Sequence, residues 1–426
     1  MLEKIKSHNS QQVQDILLCT IAATMLYKLN IGNLSVILAV VYNVIFFKKE
    51  NLFKLKSFAV IFPVLFFLIT ILSGLSSKNI SEGVKSIDLH LLLVLIALIV
   101  VNSNVNKRTI EKVFLSLFYS SLLSVTILIV NAAIKFFKGQ GVHDIVFHGF
   151  TEIYDQHPVY YAIILSLALF FAFLYGKIIP SKIKNIGIII LIIGIVFCAS
   201  KAVLFVNAVA YVLFFLFKFK SLKTKLTLLL VLVFTVGMVY NIPFINHRFV
   251  DGLRFHENIL EFKPTNSFPD KKLFNYEEKD AISDLELRYI MAKMGVYHLI
   301  EDGKVLTGYG EGDVQDYLDY YYYSYNLAPN WNEGRNIHNQ YLHILITYGI
   351  LTLLLFICYL IYSFYIAIRH RDVLHIFFLA LLAFVFIFEV ILVRNKGIIL
   401  FYFFNTLFLI KSIYIENSNL RHQRNS

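Results

Sequence analysis

The sequence predicts an all-α membrane protein of about twelve transmembrane helices, with one large extracytoplasmic loop domain between the ninth and the tenth. Composition is the first reason. Of 426 residues, 58% are hydrophobic and only 16% are charged, against about 45–50% and about 25% in an ordinary soluble domain. The second reason is the recurrence of apolar runs of roughly 15–25 residues, the length a helix needs to cross a bilayer with its backbone hydrogen bonds satisfied. The third is an alternation of basic residues between the segments that join those runs.

The runs fall at 16–29, 32–47, 58–73, 87–101, 113–134, 158–175, 186–199, 202–217, 226–240, 342–366, 374–393 and 397–414. The first leads straight into the second with no small-residue cleavage site between them, so it is expected to stay as a membrane helix and not to leave as a signal peptide. Pro158 stands where the sixth should start, a position that tolerates its missing N–H. The seventh and eighth meet at a tight turn near Ser200. Several runs are short of about 20 residues, which suits tilted or re-entrant segments. The chain then divides into a bundle of about nine helices (1–240), an outer loop domain (241–340), a bundle of about three helices (341–414) and a cytoplasmic tail (415–426). The segments assigned to the cytoplasm carry 21 Lys and Arg, whereas the short outer loops carry 8: Lys28, Lys78, Lys85, Lys135, Lys138, Lys201, Arg394 and Lys396. The positive-inside bias therefore predicts both termini in the cytoplasm. Cys19, Cys198 and Cys358 all lie inside apolar runs and read as small packing residues, not as a disulfide or metal set.

A net charge of +11 conceals a division. Segment 241–340 holds 10 basic and 16 acidic residues, and the remainder 29 and 12. A basic membrane frame around an acidic outer domain argues against nucleic acid as a partner, because the positive excess is already accounted for by topology. No repeat of fixed period is present, and no inverted repeat of the transporter kind.

Within the outer segment, Ser283 and Glu286 form a capping box, followed at helical spacing by Leu287, Ile290, Met291 and Met294. Gly303 is a stop signal. Arg288 lies near the start of this helix; it reads equally as a surface residue snorkelling over the apolar stripe or as an anion-binding group. Gly308-Tyr309-Gly310-Glu311-Gly312-Asp313 reads as a structural turn. Its spacing is not that of a dinucleotide fingerprint, although glycine-rich turns also cradle phosphates. Tyr317, Tyr320, Tyr321, Tyr322, Tyr323, Tyr325 and Trp331 then suggest an interface belt, which is also suited to sugar rings.

Chemistry is expected at Gly334-Arg335-Asn336-Ile337-His338-Asn339-Gln340-Tyr341-Leu342, where the polar segment meets the tenth run. A histidine there is half in water and half against lipid, and its unperturbed pKa of about 6.5 lets it exchange protons near neutral pH. Ser200-Lys201 puts a cation at an outer membrane edge, as a snorkelling anchor or an anion ligand. Glu389, in the eleventh run, needs a partner, and it reads as half of a structural pair with Arg394 or Lys396 in preference to a catalytic acid. His157, just ahead of Pro158, is a structural residue or a second group facing the same cavity. Asp88 and His90 read as loop-end residues. Cations and a titratable base beside lipid suggest a substrate with a phosphorylated headgroup and a lipid tail.

His338-Asn339-Gln340-Tyr341-Leu342, followed by Tyr348-Gly349-Ile350-Leu351, resembles the signature of the O-antigen ligase and polymerase superfamily. Arg288 with the Gly308, Gly310, Gly312 turn is similar to that family's outer-loop helix and turn. Glu389 with Arg394-Asn395-Lys396-Gly397 and Phe401-Tyr402-Phe403-Phe404-Asn405 resembles the penultimate loop of some members, and Ser200-Lys201 falls where many have Ser-Arg. The twelve-span layout matches as well. The resemblance implies a bacterial inner-membrane enzyme, with metal-independent glycosyl transfer at the outer leaflet and no cofactor. The donor would be a polyprenyl-diphosphate-linked glycan, and the acceptor a sugar hydroxyl on lipid A-core or on another glycan. It implies His338 as general base on the acceptor hydroxyl or as the group that orients it, Arg288 and Lys201 as diphosphate ligands, and His157, Arg335, Asn339, Tyr341, Glu389 and Arg394 in support. Lys201 departs from the pattern: it keeps the charge and loses the bidentate fork. A ligase, a polysaccharide polymerase and a protein O-oligosaccharyltransferase share this pattern and differ in an acceptor that lies outside the chain. A lipid-linked sugar transporter would instead need ionisable groups along a path through the bilayer.

Overall fold

The computed structural model describes residues 2–218 and 250–424, and no β-strand occurs among them. The ninth apolar run, 226–240, lies outside the described residues. Numbering only described helices of nine residues or more, α1 (Leu2–Thr24), α2 (Leu29–Ile45), α3 (Phe58–Ser76), α4 (Ile80–Asn102), α5 (Lys107–Phe137), α6 (Pro158–Leu174), α7 (Ser181–Phe197) and α8 (Lys201–Lys218) precede the outer segment. That segment contributes α9 (Asp284–Glu301) and α10 (Val314–Ser324). The chain closes with α11 (Gln340–Tyr348), α12 (Ile350–Arg369), α13 (Val373–Val385) and α14 (Asn395–Arg424).

Side chains set many of the helix starts. Asn79, Asn106, Asn339 and Asp372 each accept a backbone N–H from the first turn of α4, α5, α11 and α13, relieving donors that have no partner inside the helix. Pro158 occupies the first turn of α6. Apolar residues on all sides of a helix call for burial on all sides. Accordingly α6 from Pro158 to Ala172 and α14 from residue 397 to residue 410 are buried throughout, and they form the centre of the bundle. Around them α3 packs on α4, α1 on α5, and α14 on α4. Gly74 and Gly83 let the backbones of α3 and α4 touch: a Cβ on Gly74 would lie 2.9 Å from the Gly83 carbonyl oxygen.

By length and composition five described helices can cross a membrane: α3, α4, α5, α12 and the Asn395–Ile413 part of α14. Two bent pairs raise the number to seven if each is one span: Leu29–Ile45 with Lys49–Lys56, and His148–Tyr154 with Pro158–Leu174. The molecule is a multi-pass membrane protein, and the count of twelve is a finer statement than these helices make.

Two apolar runs are not single helices. Run 342–366 divides at Gly349, whose φ of +85° a side chain would resist. The break is filled by the outer segment: Tyr309 and Gly310 donate N–H groups to the carbonyls of Ile346 and Thr347, and Ile350 donates to Val305. Run 374–393 is helical only to Val385. Beyond it the chain turns, and Gln340 holds the turn by donating its N–H to the Phe386 carbonyl and accepting from the Leu392 N–H, both at 2.7 Å.

The outer segment has its own apolar core, built from Phe262, Phe274, Ile290, Met291, Met294, Leu318, Tyr322 and Tyr325 among others, and joined by Ile346 and Val390. The tyrosines are not mainly a belt. Tyr321 stacks on His298 with centroids 3.7 Å apart, Tyr309 stacks on Tyr317 at 4.0 Å, and Asp302 accepts from the hydroxyls of Tyr309 and Tyr321. Tyr320 and Tyr323 are exposed. The glycine turn is a docking knot. Its Glu311 and Gly312 N–H groups donate to the hydroxyls of Ser73 and Ser77, and the Asp313 carboxylate accepts from the N–H groups of Lys78 and Asn79.

Candidate active site

Six segments converge on one cavity of about 610 Å³: the 147–159 region at the start of α6, the start of α8, residues 252–253, the first turns of α9, residues 334–338, and the 384–394 turn. It is lined by Lys201, Arg288, Arg335, His338, His157, Glu389 and Arg394, seven of the residues singled out in the sequence. Four fixed cations and two acids, Asp284 and Glu389, therefore face one space together with three histidines, His148, His157 and His338. That excess of positive charge in a partly desolvated pocket suits a polyanion.

His338 is the last but one residue before α11. Its backbone has a φ of +50°, and its N–H donates to Asn336 Oδ1 at 2.9 Å. A left-handed, non-glycine residue at a pocket wall is strain that the surroundings hold in place. Here Asn339, as the N-cap, fixes where the helix starts, and Gly334, itself at φ +73°, lets the chain swing into the cavity. His338 Nδ1 lies 3.7 Å from Glu389 Oε2, and Glu389 Oε1 lies 3.5 Å from Arg288 Nη2. Arg288 is aimed by its own neighbours: Nη1 donates to the Asp284 carbonyl at 2.9 Å and Nε to the Phe388 carbonyl at 3.3 Å. Histidine, carboxylate and guanidinium thus stand in a row.

Lys201 has its Nζ 3.1 Å from Oδ2 of Asp284, the residue one helical turn before Arg288. Gly252 makes room for it, since a Cβ there would collide with the lysine amine. His157 caps α6 from outside; its Nδ1 is buried without a hydrogen-bond partner in the structure. Among the described residues no three His, Cys, Asp or Glu side chains are gathered as a metal set.

One expectation needs correction. Glu389 is not inside a helix, and its near cation is Arg288, not Arg394 or Lys396. The chain turns after Val385, which brings Glu389 to α9, while Lys396 Nζ reaches the Tyr27 carbonyl at 2.9 Å. Asn339 is a cap, its side chain accepting from the Leu342 N–H. Tyr341 is a brace whose hydroxyl donates to the Ala383 carbonyl at 2.9 Å. Neither of the last two lines the cavity. Sequence reasoning also passed over Asp284, Gly252, Phe147 and His148. Asp284 was visible only as part of a capping box, and nothing in the spacing of 142–157 marks Phe147 or His148.

Among known proteins, residues 186–357 match a family described as O-antigen ligase. The matched stretch contains Lys201, Arg288, Arg335 and His338; His157, Glu389 and Arg394 lie outside it. No curated protein matches the chain.

Proposed function

The chain belongs to the O-antigen ligase superfamily, and on that premise we propose that it moves a glycan from a polyprenyl diphosphate to a sugar hydroxyl at the outer leaflet. The superfamily acts in polysaccharide assembly. The finer reading rests above all on one observation: His338, Glu389, Arg288 and Lys201, drawn from four separate segments, share one cavity. Ligase, polymerase and protein glycosyltransferase differ in the acceptor, and ligase is the reading preferred here. The outer segment is taken to face the extracytoplasmic side of the bacterial inner membrane, with twelve spans and both termini inside, because 21 basic residues oppose 8 in the short outer loops.

In this mechanism Glu389, 3.7 Å from Nδ1 of His338, closes on that nitrogen as substrate binds and leaves Nε2 for the acceptor. Nε2 takes the proton of the acceptor hydroxyl as its oxygen bonds to the anomeric carbon. The bond from that carbon to the diphosphate oxygen breaks, and its electron pair leaves with the polyprenyl diphosphate. Arg288 and Lys201 meet the charge that develops there. A diphosphate leaves readily without protonation, so no second acid is required. One direct displacement inverts the anomeric centre.

The test is transfer by purified protein from a defined polyprenyl-diphosphate glycan, offered in turn lipid A-core, a second lipid-linked glycan and a peptide. Joined glycan is expected, and His338→Ala should lose about 10²–10⁴-fold at equal membrane level. Near-normal turnover in that variant would move the base elsewhere, and movement of intact donor without a new bond would make the protein a transporter.

A further inference from the structure

Phe147 is held in a backbone conformation that phenylalanine avoids. Its φ is +58° and its ψ −120°, outside the regions open to a bulky L-residue. The segment around it is braced. Its N–H donates to the Phe197 carbonyl at the end of α7 at 2.8 Å. Lys135 Nζ reaches the Asp144 and Gly149 carbonyls at 2.9 and 3.1 Å and the Glu152 carboxylate at 2.6 Å. Phe150, buried beside Phe197 with centroids 5.3 Å apart, anchors the loop from below. The result is a half-buried ring on the cavity wall, followed by His148, whose ring meets it edge-on at 4.3 Å. His157 closes the group, 5.2 Å from His148.

The cavity therefore has two unlike aromatic walls. Phe205, Phe384 and Phe388 form a purely apolar one, with neighbouring centroids 5.2 and 5.4 Å apart. Phe147, His148 and His157 form the other, where a flat apolar face is rimmed by imidazole nitrogens. An isoprenoid chain suits the first. A pyranose suits the second, because it offers one C–H face to a ring and hydroxyls at its edge. The tie to Phe197 also sets this second wall beside Ser200 and Lys201, only a few residues further along the chain.

We infer that Phe147 and His148 form the platform for the sugar ring attached directly to the diphosphate, so that they govern which first sugar the protein accepts. This rests on the glycosyl-transfer reading above. Phe147→Gly is the informative variant, because glycine adopts this φ without strain and removes only the ring. Binding to the purified full chain would be measured for a polyprenyl diphosphate with one sugar and for the same lipid without it. Phe147→Gly should accumulate normally and weaken the sugar-bearing lipid by about threefold to tenfold, the size of one aromatic contact. The sugar-free lipid should bind as before, and Phe147→Tyr should retain both. Equal weakening of both lipids, or no change in either, overturns the platform and leaves glycosyl transfer standing. A wild-type protein that binds neither lipid overturns glycosyl transfer itself, and the platform with it. Should the glycine variant fail to accumulate, Phe147→Leu keeps the bulk, loses the ring face and reads the same contrast.

Discussion

Glu286 and Glu389 each have a histidine beside them, but they are bonded very differently. Glu286 is fully buried in the outer segment. It accepts from the His256 N–H at 2.6 Å, from His256 Nδ1 at 2.7 Å and from the Ser283 N–H at 2.8 Å. Burial pushes its carboxyl up, yet the donations from Ser283 and His256 outweigh burial and hold it below the usual carboxylate range. Glu389 stands 3.5 Å from Arg288 and 3.7 Å from His338. The first carboxylate has its acceptor capacity used by the fold. The second keeps capacity in reserve, as catalytic hydrogen bonds often do before substrate tightens them. On the proposed mechanism, the first acid serves the fold and the second would serve the reaction.

The sharpest way to break this contrast is to change each acid in turn. Glu389→Gln should cut turnover by about 10–100-fold, as losing an orienting partner does, with membrane accumulation unchanged. Glu286→Ala should do the opposite. It strands the N–H groups of His256 and Ser283 at a cost of about 1–3 kcal/mol each, lowering accumulation while each surviving molecule keeps its rate. Turnover and accumulation assays on both variants check this, and depletion of the Glu389 variant would undo the distinction.

A pH series sharpens the closed side. Burial holds His298 down to about 4, so between pH 6.5 and 4 the unfolded chain takes up a proton that the folded one refuses. Stability is full above that window and declines as pH falls through it. The Glu286 contribution is present above the ordinary carboxylate value and is lost only at lower pH, through its depressed folded value. Hydrogen exchange of the outer segment should therefore show protection falling first below pH 6.5, with a flatter curve in His298→Gln. Equal slopes in the two proteins would remove His298 from the account.

The smallest effect is expected at Lys201. Lys201→Arg should change the KM for donor by no more than about threefold, or improve it, since the fork restores bidentate contact. Lys201→Ala should raise that KM. Unchanged kinetics in the alanine variant would assign the amine to its Asp284 contact alone.

What could be read beforehand follows the same physics. The Ser283–Glu286 box, the buried stripe from Leu287 to Met294 and the stop at Gly303 are local, so composition and spacing carry them. The gathering of Lys201, Arg288 and His338 was legible as a cluster of charge breaking an apolar frame. The division at Gly349 was not. A run of apolar residues reads alike whether a helix continues or is interrupted, and this interruption is stabilised by hydrogen bonds from residues 305–310, some forty positions away. Glu389 was assigned its sequence neighbours for the same reason; only the turn after Val385 brings it to Arg288. The Tyr317–Tyr325 run was ambiguous because a tyrosine suits a membrane boundary and a small core equally well.

The glycine knot has a mechanical meaning. One end of the 305–313 crossing is bonded into the break between α11 and α12, and the other to Ser73, Ser77, Lys78 and Asn79 at the α3–α4 hairpin. A tie anchored at both ends transmits load. A change in the tilt of α3 and α4, as a thinner or thicker bilayer would impose, would be passed along it to α11, whose first turn sets the position of His338. His338 thus hangs from the same beam as a hairpin far from it in sequence, and the thickness of the surrounding lipid would become one of the dimensions of the candidate site.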